Sequence, residues 1–173
     1  MIPKQIHLIW FGSDNLPEQV NLCIESWRHF MPDYEIVRWD ESNFDVNQNN
    51  YCREAYEAKK WAFVSDYARF KILFDHGGIY LDTDVELLKP LNELLAKGPL
   101  MACESNRSKS GKKSAISAVA PGLILAVNPG LILAVNPGLP LYKEIIDSYE
   151  SDHFLLDDGT FNLRTVVERT SDI

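Results

Sequence analysis

The sequence is poor in several things at once. Three cysteines, Cys23, Cys52 and Cys103, are spread at wide spacings over 173 residues. That number and spacing argue against a disulfide framework and against a zinc site. A reducing, cytoplasmic setting is the expectation. Basic residues are outnumbered, 17 Lys and Arg against 25 Asp and Glu, for a net charge of -8. So acidic a chain is a poor nonspecific binder of nucleic acid. An anionic substrate would have to be met by a metal ion or a local basic pair. Long apolar runs are missing too. "LILAV" falls far short of a membrane span, and "MIPKQIHLIWFG" is too short and too polar-flanked for a secretory leader. Peripheral contact with the inner face of a membrane is compatible with both.

What is present reads as one α/β domain over residues 1–173. "KQIHLIWFG" is strand-like and closes on Gly12. "LPEQVNLCIESWRHFMP" is helical, with Val20, Ile24, Trp27 and Met31 at helical spacing. "YEIVRW" is a second strand, followed by a polar loop. Residues 51–75 are helical with one break, and Gly77-Gly78 stops them. "IYLDTDVELL" is the next strand, then a short helix "LNELLAKG", a strand "PLMACE" and a Ser/Lys-rich loop. This alternation predicts helices packed on a largely parallel sheet. One feature is abnormal: "PGLILAVN" fills 121–128 and again 129–136. Two copies do not make a solenoid. Identical strands compete for one slot in the sheet, so one copy is expected to pair. "PLYKEIIDSYE" then forms an amphipathic helix, with Leu141, Ile145 and Tyr149 on one face.

The chemistry concentrates in "HGGIYLDTDVELLKP". Asp82 and Asp84 stand at the C-terminal end of an expected central strand, the edge where open α/β sheets bind ligands. Two carboxylates on one side of a chain repel unless a cation lies between them. A hard ion such as Mg2+ or Mn2+ accepts few protein carboxylates and completes its shell with phosphate oxygens. A lone D-x-D is more often a solvated strand end. Here, 16 residues upstream, Asp66 and Arg69 share one face of an otherwise apolar helix. Arg69 has the fork for phosphate or hydroxyl oxygens. Asp66 can accept from sugar hydroxyls. Trp10, at the end of the first strand, is placed to stack on a base, although core packing is the commoner fate of such an aromatic.

Together "IPKQIHLIWFG", "SW…MPDYEIVRWDE", "AFVSDYARFKILFDHGGIYLDTDVE" and "PLYKEIIDSYE" resemble the DXD-containing sugar-transferase family over about residues 2–150. These are GT-A-fold (Rossmann-like) retaining glycosyltransferases with a mostly parallel central sheet. They include bacterial capsular-polysaccharide and yeast mannosyltransferase-like enzymes and relate to the glucosylating clostridial toxins. The combination S-D-x-x-R then G-G-x-Y-x-D-x-D is specific. The resemblance implies a nucleotide-sugar donor, a UDP-sugar by weight of family, and a saccharide or lipid-linked acceptor. It implies a donor site of Ile9, Trp10, Asp66, Arg69, Gly78, Tyr80 and Asp82. Trp10 would flank the uracil, Asp66 and Arg69 hold the sugar, and Tyr80 line the pocket. Gly77 and Gly78 would let the backbone turn close to the nucleotide. Asp84, with Asp82 beside it, would hold Mn2+ or Mg2+, and Asp66, Arg69, Asp82 and Asp84 would carry the catalysis. Members of the family run on past a point like "TVVERTSDI" into a further strand and a polar, often histidine-bearing segment. The expectation is therefore a domain shortened at its C-terminus, with His76 and His153 not filling that role. Arg107, Lys109, Lys112 and Lys113, in the loop 104–118, are candidates for contact with an anionic lipid or a lipid-linked acceptor.

Other readings are weaker. An aspartyl phosphatase would carry Thr or Val where Glu86 stands. A glycosidase leaves Trp10 and S-D-x-x-R without a role. A non-catalytic nucleotide-sugar-binding domain is the serious rival.

Overall fold

The computed structural model describes residues 1–13, 15–101 and 132–173. Cys103, the loop 104–118 and the first octapeptide lie outside the described residues. The elements run β1 (Gln5–Ile9), α1 (Glu18–Phe30), β2 (Glu35–Trp39), a 3-10 turn, α2 (Asn50–Glu57), α3 (Trp61–His76), β3 (Gly78–Leu81), α4 (Asn92–Leu95), β4 (Leu100–Met101), β5 (Ile132–Val135), α5 (Pro140–Asp147) and α6 (Val166–Ser171). The five-stranded sheet has the order β2-β1-β3-β5-β4. β1 is parallel to β2 and β3, while β5 is antiparallel to both β3 and β4. Among the described residues four strands therefore point one way and β5 is reversed, as the expectation of a mostly parallel sheet required.

Each central strand is buried on both faces, and alternate residues feed two cores. Ile6, Leu8, Ile79, Leu81, Ile132 and Ala134 pack with Val20, Ile24, Trp27 and Met31 on the α1 side. Ile9, Tyr80, Leu133 and Val135 pack on the other side with Val64, Tyr67, Phe70, Leu73, Tyr142 and Ile145 of α3 and α5. The second octapeptide supplies β5; all four of its strand residues are buried. The expected face of α5 is corrected by one position: Leu141 is exposed, whereas Tyr142, Ile145, Ile146 and Tyr149 are buried. The i, i+3, i+4, i+7 stripe passes through Tyr142, because Pro140 sets the start of the helix.

The strand read through "IYLDTDVELL" stops at Leu81. Asp82 to Val85 instead form a turn closed by the Val85 N–H donating to the Asp82 carbonyl at 3.0 Å. α1 holds this turn and the chain just beyond it. Trp27 Nε1 donates to the Val85 carbonyl at 2.7 Å, and the Leu87 N–H donates to Ser26 Oγ at 2.9 Å.

Midway along β1, His7 is 1% exposed. Trp39 Nε1 donates to His7 Nδ1 at 3.1 Å, so the proton sits on Nε2, which donates to the Gly77 carbonyl at 2.9 Å. Burial, with a smaller push from His76, lowers the pKa of His7 to about 4 against the Gly77 hydrogen bond and Glu35, which raise it.

Candidate functional site

β1 and β3 are parallel neighbours with His7 opposite Tyr80. Their C-terminal ends therefore open side by side, and the same register carried forward puts Ile9 beside Asp82. α3 crosses above them. Between these elements lies a cleft of about 480 Å³ lined by Ile9, Trp10 and Phe11 from β1 and its extension, by Trp61, Ala62, Ser65 and Arg69 from α3, and by Tyr80, Asp82, Thr83 and Asp84. Of the expected site residues, Ile9, Trp10, Arg69, Tyr80, Asp82 and Asp84 thus meet in one place.

Arg69 is the hub. Its side chain is 8% exposed, and Nη2 lies 2.9 Å from Asp66 Oδ1 and Nη1 3.7 Å from Asp82 Oδ1. Its Nε donates to the Ser65 carbonyl at 2.9 Å, and the guanidinium sits 5.1 Å from the centre of the Tyr80 ring. Tyr80 in turn donates its hydroxyl to Asp82 Oδ1 at 2.8 Å. Burial opposes the charge on Arg69, but Tyr80, Asp66 and Asp82 outweigh it and the guanidinium stays protonated. Burial also keeps the Tyr80 phenol neutral, pushing its pKa well above the usual range. The result is a fixed cation with an acidic partner on each side.

The two aspartates of D-x-D differ. Asp82 is tied down by Tyr80 and Arg69. Asp84 is exposed at the rim. The surrounding protein and the nearby Asp82 charge hold its carboxyl above the usual range. Two hard oxygen ligands in mutual repulsion, opening on a cleft, fit a divalent cation that keeps water or phosphate oxygens. Among the described residues no group of three His, Cys, Asp or Glu side chains is arranged to hold a metal.

Two expected site residues stand outside the cleft lining. Gly78 lies at the start of β3, with φ +90, where a Cβ would stand 2.8 Å from the Gln5 carbonyl and 2.9 Å from His7 Nε2. At about 3.3 Å per residue that is more than 10 Å from Asp82. Gly78 thus allows the close approach of β3 to β1. Asp66 does not line the cleft. It lies behind Arg69 with its side chain 14% exposed. Burial raises its pKa, Asp82 adds to this, and Arg69 and the backbone N–H of Val166 counter it.

Three residues escaped the sequence reading. Trp61 packs so closely on Gly12 that a Cβ there would fall 2.6 Å from the indole, and φ at Gly12 is +83. The Gly12 N–H donates to Glu41 Oε1 at 2.7 Å and the Tyr56 hydroxyl donates to the same oxygen at 3.1 Å. Glu41 thereby ties the lip of the cleft to α2. Arg169, 1% exposed, donates to the Ser148 carbonyl at 2.7 Å, pairs with Asp152 and lies 3.8 Å from the centre of the Tyr149 ring. It pins α6 beside Asp66. No local signal marks these residues, since each acts across a large sequence separation.

Residues 17–100 match the family described as "Glycosyltransferase sugar-binding region containing DXD motif". That stretch carries both S-D-x-x-R and D-x-D. Among curated proteins, inositol phosphoceramide mannosyltransferase 1 of Schizosaccharomyces pombe is 32% identical over 107 residues, covering 56% of this chain and 32% of that protein. An uncharacterised glycosyltransferase of Acanthamoeba polyphaga mimivirus is 34% identical over 104 residues, covering 57% of this chain and 41% of that protein. The chain therefore spans about a third to two-fifths of the length of the relatives it matches. The solved structure "PaToxG Glycosyltransferase" superposes with a TM-score of 0.66 at 20% identity, over 99% of this chain and 68% of that one. At that identity the likeness establishes the fold, which is GT-A.

Proposed function

We propose that this chain forms the donor site of a metal-dependent glycosyltransferase. It moves a sugar from a nucleotide-sugar, a UDP-sugar, to a hydroxyl of a polysaccharide or lipid-linked acceptor, with retention of configuration. Capsule or surface-polysaccharide synthesis at the cytoplasmic side of a membrane is the setting. The observation that carries the proposal is the Asp66–Arg69–Tyr80–Asp82 network meeting Asp84 at the mouth of a cleft walled by Trp10 and Trp61. The name of the fungal relative, a mannosyltransferase acting on inositol phosphoceramide, supports a lipid-borne hydroxyl and makes GDP-mannose the first alternative donor.

Trp10 and Trp61 offer aromatic faces to the base. Arg69, permanently charged and held by Ser65 and Asp66, faces the negative end of the donor without having to reorient, the kind of preorganised charge that lowers a barrier. Tyr80 fixes the direction of Asp82. Asp84 and Asp82 would hold Mn2+ or Mg2+, which when bound supplies Lewis-acid neutralisation of the leaving diphosphate. Asp66, through Arg69, sets the polar floor under the sugar.

A second reading is a nucleotide-sugar-binding domain without turnover. Calorimetric titration of UDP with and without Mn2+ tests the first. Binding should need Mn2+, and Asp84→Ala should weaken it at least tenfold while the fold persists. Unchanged affinity in Asp84→Ala sinks the metal assignment. Tight Mn2+-dependent binding with no consumption of any UDP-sugar or GDP-mannose favours the second reading.

A further inference from the structure

We infer that Trp27, on the far side of the sheet from the cleft, is a positioning residue for the metal-binding turn. The inference rests on the reading of Asp84 and Asp82 as ligands of a divalent cation. Both carboxylates sit in one four-residue turn, and Val85 is its last residue. The Val85 N–H closes the turn on the Asp82 carbonyl at 3.0 Å, and the Val85 carbonyl accepts from Trp27 Nε1 at 2.7 Å. Both polar groups of one peptide residue are thereby fixed, one to the turn itself and one to α1.

The fastening continues along α1. The Leu87 N–H donates to Ser26 Oγ at 2.9 Å, and the Leu91 N–H lies 3.3 Å from Met31 Sδ. Trp27 is 0% exposed and Val85 0% exposed, so no water competes for this bond. An unpaired Val85 carbonyl there would have to turn toward another donor. That carbonyl belongs to the Val85–Glu86 peptide, so its rotation turns the Val85 backbone, loosens the Val85 N–H that closes the turn on Asp82, and through that turn changes the separation of the two carboxylates. A metal ion that needs a narrow range of ligand geometry responds to such a change, whereas an aromatic base platform on β1 does not. Trp27 touches neither substrate nor metal; it acts only through Val85.

The test uses the whole chain and three variants. Trp27→Phe keeps the ring and removes the N–H. Ser26→Ala removes the next fastening and is milder. Ile24→Ala makes a hole in the same core without touching the turn. Mn2+ titration in the presence of UDP, followed by the electron paramagnetic resonance of free Mn2+, reads the metal site directly. Trp27→Phe should weaken Mn2+ at least tenfold and Ser26→Ala about threefold, with the far-ultraviolet circular dichroism of both unchanged. Ile24→Ala should leave Mn2+ affinity within twofold of the parent. Mn2+ affinity unchanged in Trp27→Phe overturns the inference, and so does an equal loss in Ile24→Ala, which would make the effect one of general stability. If Trp27→Phe does not fold, Ser26→Ala decides by the same criterion. If the parent chain binds no Mn2+ with UDP, the metal reading itself has failed. Amide exchange then decides the positioning role: Val85 should lose protection in Trp27→Phe and keep it in Ile24→Ala, and unchanged protection in Trp27→Phe overturns it.

Discussion

Arg69 and His7 are both buried, and they meet burial in opposite ways. Arg69 stays charged because Asp66 and Asp82 flank it. Removing it strands Asp66, whose carboxyl is already pushed up by burial. Arg69→Leu should cost about 3–5 kcal/mol, the usual penalty for breaking a buried pair from one side, readable as a lower urea midpoint. His7 gives up its charge. Its pKa falls from 6.5 to about 4, so between those values the unfolded chain binds the proton that the folded chain refuses. Stability is therefore complete above about pH 6.5 and declines as the pH drops toward 4, by about 3 kcal/mol. Urea midpoints measured across that range should show the decline, and His7→Gln should flatten it. S-D-x-x-R was legible in the sequence because Asp66 and Arg69 are local, three residues apart on one helix. The inward turn of His7 was not, since its partners Trp39 and Gly77 are 32 and 70 residues away.

Strand ends decide the chemistry at the scale of elements. β3 is short, and its end at Leu81 moves Asp82 and Asp84 from a pleated strand into a turn. The sequence pointed to the right edge of the sheet but the wrong local backbone, because D-T-D after an apolar run suits either. Gly77-Gly78 was read correctly as a helix stop, with φ +67 at Gly77. It sits at the far end of the strand from the ligand edge. β5 poses a different problem. Its slot takes one Ile-Leu-Ala-Val, and residues 121–128 and 129–136 are identical, so deleting either octapeptide yields the same chain. That shorter chain should keep one cooperative unfolding transition, with a midpoint changed by no more than about 1 kcal/mol, since shortening a connection by eight residues alters closure entropy little. Loss of cooperativity on thermal or urea melting would show that the sheet needs both copies.

The whole molecule brings its C-terminal segment in beside the site. Arg169 on α6 reaches Ser148 and Asp152 beyond α5 and covers the rings of Tyr149 and Tyr51. Tyr51 and Tyr149 are 5.0 Å apart, and Tyr67 of α3 lies 5.5 Å from Tyr149. The floor of the cleft and the C-terminal segment are thus one packed unit. Arg169→Leu should lower stability by about 3 kcal/mol or more by leaving Asp152 beside unpaired polar groups. The loss should appear in the global transition and not as a separate melting of α6, which urea unfolding followed by tryptophan fluorescence and by circular dichroism would distinguish. The net charge of -8 also acts at this scale. In the proposed function, a diphosphate approaching so acidic a body would meet local attraction at Arg69 and at a cation held by Asp84.

The sequence alone determined the α/β alternation, the mostly parallel sheet, the helix that carries Asp66 and Arg69, and the sheet edge that carries Asp82 and Asp84. These come from periodicity and short-range pattern, which depend on neighbours a few residues apart. Only the tertiary structure decided that D-x-D is a turn fastened to α1 through Trp27, that Gly78 packs against His7, that Trp61 walls the cleft, and that Arg169 anchors α6 beside Asp66. Each of those depends on which buried group finds a partner across the fold, and such pairing leaves no local trace in the chain.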